Sequence, residues 1–349
     1  MIETWYVILC VMIAFFAVLE GWDFGSGALH YLAARNQEER RLLIAAIGPL
    51  WSWHEVWLVA TGGVLFVAFP RVLATGFPAY YLALHLVLWA LILRGVSIEF
   101  RGHISHAMWY SFWDIVFVVA NVSLAVLFGL AIGNVMRGMP LRPDVPLSLA
   151  LFTDFGVQGK VGIVDWYTLS VALFTLFCLS AHGASYLATR TAGAVFRRSR
   201  RLAALLWPAT FCLLVLVSLE TFDVRPQLAA GLGQRPAAWA AGAVVAGGLI
   251  AIVTGLRSGA DRRTFLGGCA LIAGLLGAAA ASLFPVMLYS TMSPQYSITA
   301  WNGSSAPSSL RVAAYWWPVA FLLSLGYFAF IGKHYRGRVQ VSRDTQQPY

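Results

Sequence analysis

Charge is what this chain lacks most. Only 11% of its 349 residues are Asp, Glu, Lys or Arg, where a soluble globular chain carries about a quarter. That shortage excludes a water-soluble domain, and with 59% hydrophobic residues and a mean hydropathy of +0.72 it implies a chain built for lipid. Cysteine is scarce too. Cys10, Cys178, Cys212 and Cys269 all lie inside apolar runs and form no CxxC pair, so they read as small buried hydrophobes rather than as a metal or redox site. The formal net charge is +9, but the arginines are scattered between apolar segments and make no basic stripe, which argues against nucleic acid as a partner. No basic n-region precedes the first apolar run, so that run reads as a retained helix and not as a cleaved signal. No internal repeat and no second soluble domain are visible.

What the chain does have is a series of apolar runs of spanning length, about 20 residues each. They predict an all-α integral membrane protein, a single transmembrane domain over 1–349. Its helices fall near 5–31, 50–70, 76–100, 107–135, 163–189, 202–219, 237–256, 264–289 and 310–333. Nine spans put the chain ends on opposite sides. Sixteen of the 24 Lys and Arg then fall on one face and seven on the other, with Arg94 inside the third helix. By the positive-inside rule the N-terminus is outside and the C-terminus cytoplasmic. The aromatic share of 14%, with Trp and Tyr near the ends of apolar runs, suits interfacial belts. Residues 136–162, with Pro140, Pro143 and Pro146, and the Ser/Thr/Asn/Gly-rich run 290–309 read as irregular external loops. Asn302-Gly303-Ser304 has the form of a glycosylation sequon, but an NG turn is the plainer explanation.

Against this background the few acidic residues inside helices stand out, because a carboxylate in a bilayer costs about 2.5 to 3.5 kcal/mol on insertion scales. Glu20 and Asp23 lie in the inner half of the first helix and Glu55 about a turn into the second. Glu99 ends the third and Asp114 lies about two turns up the fourth. The predicted topology gathers all five in the cytoplasmic half with Arg94, His54, His103 and His106, and leaves almost nothing ionisable in the other half. The residues allow two readings: a ladder that passes protons inward, or ion pairs that lock a bundle, with Arg94, Glu99 and Asp114 the readiest for the second. Too few buried cations are expected for every carboxylate to be paired. Gly21, Gly25 and Gly27, facing Gly62 and Gly63, predict close packing of the first two helices around the charged site. His54, His85 and His182 sit on helices, but their spacing forces no bis-histidine haem site, and no directly bound cofactor or metal is expected.

The composite motifs carry a resemblance. EGWDFGSGALHYLAARNQEERR from residue 20, IGPLWSWHEVWLVATGGVLFVAFP from 47 and LILRGVSIEFR from 91 are joined by Trp113-Asp114, by HGASYL at 182–187 and by FPVMLYSTMSPQYSITAWNGSS from 284. Together they make the chain similar to subunit II of the cytochrome bd-type quinol oxidases, over nearly its whole length and in order. The resemblance implies a heterodimer with a haem-bearing subunit I, which holds the b and d haems and the quinol site and reduces oxygen to water. Subunit II is then haem-free. It lends support, a structural quinone or lipid in some cases, and a proton route from the cytoplasm through Glu20, Asp23, Ser52, His54, Glu55, Glu99 and Asp114, in a bacterial or archaeal plasma membrane. A small single-helix accessory subunit belongs to the same expectation. One departure stands out. Where the family has Trp-Asp-Gly-Asn-Glu-Val-Trp, this chain has Trp51-Ser52-Trp53-His54-Glu55-Val56-Trp57, so Ser52 replaces a carboxylate and His54 becomes the local substitute, since a histidine ordinarily titrates near neutrality. The alternative from another class is a proton-coupled secondary transporter, which predicts broken helices near the midplane and an inverted repeat; a third is a structural scaffold.

Overall fold

The computed structural model describes residues 1–143, 147–335 and 337–339. Pro146, and Arg336 and Arg343 among the sixteen basic residues of the cytoplasmic face, lie outside them. The chain is helical almost throughout. Among the described residues eight helices are long and apolar enough to cross a membrane, and a ninth span results if the bent pair Gln37–Ile47 and Trp51–Ala68, which meet at 42°, counts as one.

In chain order the helices are α1 (Ile2–Ala28), α2 (His30–Ala33), α3 (Gln37–Ile47), α4 (Trp51–Ala68), α5 (Pro70–Ala79), α6 (Tyr81–Arg101) and α7 (Ala107–Arg137). There follow α8 (Trp166–Arg190), α9 (Gly193–Val224), α10 (Gln227–Gln234), α11 (Pro236–Ser258), α12 (Asp261–Leu283) and α13 (Pro307–His334). Between α12 and α13 a short antiparallel pair, β1 (Val286–Leu288) and β2 (Ile298–Thr299), closes over the end of the bundle. Asn302 sits in the turn after β2, accepting from the Thr299 amide at 2.8 Å and donating to the Ser297 carbonyl at 3.1 Å.

The elements depart from the sequence reading where polar chain continues a helix. The arginine-rich stretch after α1 is not a loop: Asn36 accepts from the Glu39 amide at 2.9 Å and caps α3, with Glu38 and Glu39 in its first turn, where the helix dipole favours acids. The span expected at 202–219 is a 32-residue helix, because Gly193 to Arg201 extends it beyond its apolar core. The span expected at 76–100 is divided at Tyr80, just past Pro78. A proline inside a helix removes a donor and crowds the preceding turn. The span expected at 264–289 stops at Leu283, and the external run 290–309 joins the β1–β2 pair instead of staying wholly irregular.

α8 is the central helix, buried along most of its length, and it starts on a capping box in which Asp165 and Thr168 exchange hydrogen bonds. α1 crosses it at very short range. A Cβ on Gly25 would fall 1.7 Å from the Leu179 carbonyl oxygen, and one on Gly183 would fall 2.3 Å from the Ser26 amide nitrogen. The glycines of α1 thus serve α8 and α7, not α4 as expected. Gly21 faces Leu179 and Gly27 faces Asn121 of α7, whereas a Cβ on Gly62 or Gly63 would meet open space. Gly25→Ala is therefore expected to abolish recovery of folded protein, since the two backbones must part, and Gly62→Ala to leave the yield unchanged. Size-exclusion yield after detergent extraction reads both; normal yield of Gly25→Ala would contradict the crossing.

Candidate functional site

The acidic residues of α1 meet one cation. Arg94, on α6, is fully buried and donates to Glu20 Oε2 at 2.6 Å, to Glu55 Oε1 at 3.2 Å and to Asp23 Oδ2 at 3.5 Å. Its guanidinium also lies 4.9 Å from the Phe24 ring centre and 5.7 Å from that of Trp51. Asp23 Oδ2 has a second partner, His54 Nδ1, at 2.6 Å. Glu20 and Asp23 are wholly buried and His54 nearly so, while the Glu55 side chain is 27% exposed. Three carboxylates from two helices therefore share one arginine and one histidine. Glu20 Oε1 and Asp23 Oδ1 have no hydrogen-bond partner, so the group is short of donors when every carboxylate is charged. Buried acceptors in that state favour a bound proton or a water.

Asp114 belongs to a different group. It accepts from Arg101 Nε at 2.6 Å, lies 2.9 Å from His30 Nε2 and 3.4 Å from Arg40 Nη1, and Arg101 also reaches Gln37 at 2.7 Å. This joins α2, α3, α6 and α7. The sequence reading had left Arg40 and Arg101 in loops and had expected too few cations; the structure draws both inward, and Asp114 is amply paired. Arg101 lies seven residues after Arg94, two turns on the same helix face, and that spacing was the available signal. His30 was missed, although it lies seven residues beyond Asp23.

Two further candidates stand apart. Glu99 is exposed at the end of α6. Ser52 is exposed on α4, on the stripe that continues through Val56, Val59, Gly63 and Phe66. Being two residues before His54, it points about 200° away around the helix. His103 and His106 are exposed as well, His103 facing the Glu99 carbonyl and His106 capping α7. The opposite end of the bundle is also less empty than expected. Arg137 and Asp165 form a buried ion pair, and Arg225 lies 3.9 Å above the Tyr289 ring. Both arginines had been read as loop residues; capping and the α7–α8 junction bring them in.

The helix-borne histidines do not fit a bis-histidine haem. His54 is held by Asp23, His85 by the Tyr81 carbonyl and His182 by the Val18 carbonyl. Trp22 packs against both His54 and His182, with ring centres at 5.1 and 5.9 Å. Among the described residues no group of three or more His, Cys, Asp or Glu is arranged to hold a metal.

Comparison with known proteins follows the same residues. The family model described as cytochrome bd terminal oxidase subunit II matches residues 1–333. The chain belongs to that family. It is 31% identical over 311 residues to cytochrome bd ubiquinol oxidase subunit 2 of Bacillus subtilis, covering 89% of this chain and 88% of the relative. It is 27% identical over 376 residues to cytochrome bd-I ubiquinol oxidase subunit 2 of Escherichia coli, covering 99% and 97%. The structure of the bd oxidase from Geobacillus thermodenitrificans contains a chain of the same fold, with a TM-score of 0.70 at 18% identity over 94% of this chain and 98% of that one. The family membership bears out the resemblance read from the motifs. The proton-coupled transporter gains no support from these relatives.

Proposed function

We propose that this chain is the supporting subunit of a bd-type quinol:oxygen oxidoreductase, and that it carries protons from the arginine-rich, cytoplasmic side toward the haem-bearing subunit I. The chain then works as one membrane-embedded unit of nine spans, N-terminus outside and C-terminus inside, in a bacterial plasma membrane. Quinol oxidation and oxygen reduction at the b and d haems are the work of subunit I. A structural quinone or lipid and a small single-helix subunit are further partners on this reading; the broad exposed apolar faces of α6 and α13 leave room for them.

One observation carries the proton reading. Glu20, Asp23 and Glu55 all contact Arg94 and His54 contacts Asp23, which gathers four proton-accepting groups in one place, and of these only Glu55 reaches the surface appreciably. A carboxylate edge exposed beside α4 and α6 is expensive against lipid, so a protein face covering it is the economical arrangement. Glu55 is then the hand-off to subunit I, with Asp23 and His54 behind it. Ser52 and Glu99 stand at the rim of the route, and Asp114, with its full set of partners, ties the α1–α3 elbow to α6 and α7.

The test is Asp23→Asn in the assembled oxidase. Asparagine keeps size and hydrogen bonding but cannot hold a transferable proton. Oxygen consumption should fall by roughly 10²-fold, the lower end of what a positioned acid–base group contributes, with haem content unchanged in a reduced-minus-oxidised spectrum. Full turnover in Asp23→Asn would remove the residue from the route; loss of the haems with the activity would make it structural. Glu20→Gln should behave alike.

A further inference from the structure

The break between α3 and α4 lies just before the residues that reach Asp23 and Arg94, and the central helix repairs its backbone. Pro49 has no amide hydrogen, and the Leu50 amide turns to the Ile47 carbonyl at 2.9 Å instead of continuing α3. In an unbroken helix that amide would pair with the Ala46 carbonyl. Ala46 is buried, and at membrane depth a freed carbonyl needs another donor. Tyr186 of α8 supplies it, its hydroxyl donating to the Ala46 oxygen at 2.8 Å. The chain then restarts as α4 on the Leu50 carbonyl, which accepts from the His54 amide at 3.2 Å. The same side chain supports His54 in a second way. Its ring stacks on Trp22, with centres 5.2 Å apart and planes at 11°, and Trp22 meets the His54 ring edge-on at 5.1 Å. α8 is itself fixed against α1 at the Gly25–Gly183 crossing, about one turn before Tyr186. Tyr186 lies in the HGASYL stretch, which the proton route does not otherwise use.

We infer that Tyr186 is a positioning residue for the proton site: its hydroxyl sets the α3–α4 bend, its ring backs Trp22, and together they hold His54 on Asp23. This deepens the proton reading and rests on it. Tyr186→Phe keeps the stack on Trp22 and removes only the bond to Ala46. The freed carbonyl is then drawn to the Leu50 amide, the partner a regular helix gives it. Closing that bond reduces the bend and carries the start of α4, with His54, away from Asp23.

The experiment uses the intact two-subunit oxidase, with assembly verified by its haem spectrum. Cryo-electron microscopy of Tyr186→Phe should show an α3–α4 angle below 42°. The His54–Asp23 contact, 2.6 Å in the wild type, should lengthen past about 3.5 Å, the edge of hydrogen bonding. Oxygen consumption should fall about tenfold, less than the roughly 10²-fold that a 1 Å misplacement can cost, because the ring stays in place. In the His54→Asn background, Tyr186→Phe should cost no further turnover, since residues that act as one unit are not additive. An unmoved bend with an unchanged His54–Asp23 contact overturns the positioning role at any rate of turnover. A lengthened contact with wild-type turnover upholds the positioning and overturns the proton reading instead. A further tenfold loss in the His54→Asn background overturns action through His54. Should Tyr186→Phe fail to assemble, Trp22→Phe leaves the Ala46 bond intact and withdraws the ring behind His54; a His54 unmoved in its structure overturns the support that Tyr186 gives through Trp22.

Discussion

Arg94→Met is expected to leave almost no recoverable oxidase. The substitution keeps a similar chain length and removes the arginine that Glu20, Asp23 and Glu55 share. Breaking a buried ion pair from one side destabilises by about 3 to 5 kcal/mol, and here three carboxylates lose the same partner. The whole stability of a typical domain is only about 5 to 15 kcal/mol. Haem-bearing complex, measured by its reduced-minus-oxidised spectrum after extraction, should fall below a tenth of wild type, with the missing chain degraded or aggregated. Arg94→Lys should recover only part of it, since a compact ammonium cannot span three acceptors as a guanidinium does. Adding Glu20→Gln to Arg94→Met should restore some yield by neutralising the carboxylate that lies closest, at 2.6 Å. A wild-type yield of Arg94→Met alone would mean that the carboxylates are neutral in the resting protein and need no counter-charge.

His54→Phe has the second largest expected effect, on turnover rather than on assembly. The ring is buried and touches Asp23 at 2.6 Å, with Trp22 and Phe328 on its flanks, so phenylalanine fits the space while removing both nitrogens. Oxygen consumption should drop by about 10²-fold with haem content preserved. His54→Asn separates the two duties of the ring: it can still donate to Asp23 but cannot carry a proton, so it should be as slow as His54→Phe. Ser52→Asp should not rescue either variant. Its side chain points to the exposed stripe of α4, about 200° from His54, although the sequence motif alone suggested that the two could fill one gap. Normal rates in His54→Asn would reduce the residue to a hydrogen-bonding support for Asp23.

The sequence exposed some of these relationships and hid others for identifiable reasons. Glu20, Asp23 and Arg94 could be singled out because a charge in an apolar run is conspicuous at any register. That they touch depends on the rotation of α1 against α6, which hydropathy does not encode. Arg101, Arg137 and Arg225 were assigned to loops because each lies at a helix end, where long arginines can turn inward to a buried partner, and Arg40 because it lies in α3, which no apolar run announces. The glycines of α1 were visible as a small-residue face. Their partner was mistaken, since Gly62 and Gly63 looked like an equal match and only the structure distinguishes them from Gly183. The polar extensions of α9 and the whole of α3 escaped because a spanning rule counts apolar residues and stops where arginines begin.

One consequence concerns the order in which the molecule is made. α13 leaves the ribosome after the other described helices, and it buries only Leu310 and Ala313 fully. Its grip on the rest is a set of aromatic rings, Trp317 against Trp5 and Phe321 and Phe328 against Trp57, while Tyr315, Trp316, Val319 and Leu322 remain bare. The earlier helices can therefore consolidate during synthesis, whereas α13 arrives with most of its adhesive surface unspent. Lipid covers those bare side chains but does not anchor the helix, so a newborn chain lacking a packed neighbour there is a target for quality-control proteases of the membrane. Cells that make this chain in excess of its partners should accordingly clear the surplus quickly, with α13 the first segment to be attacked.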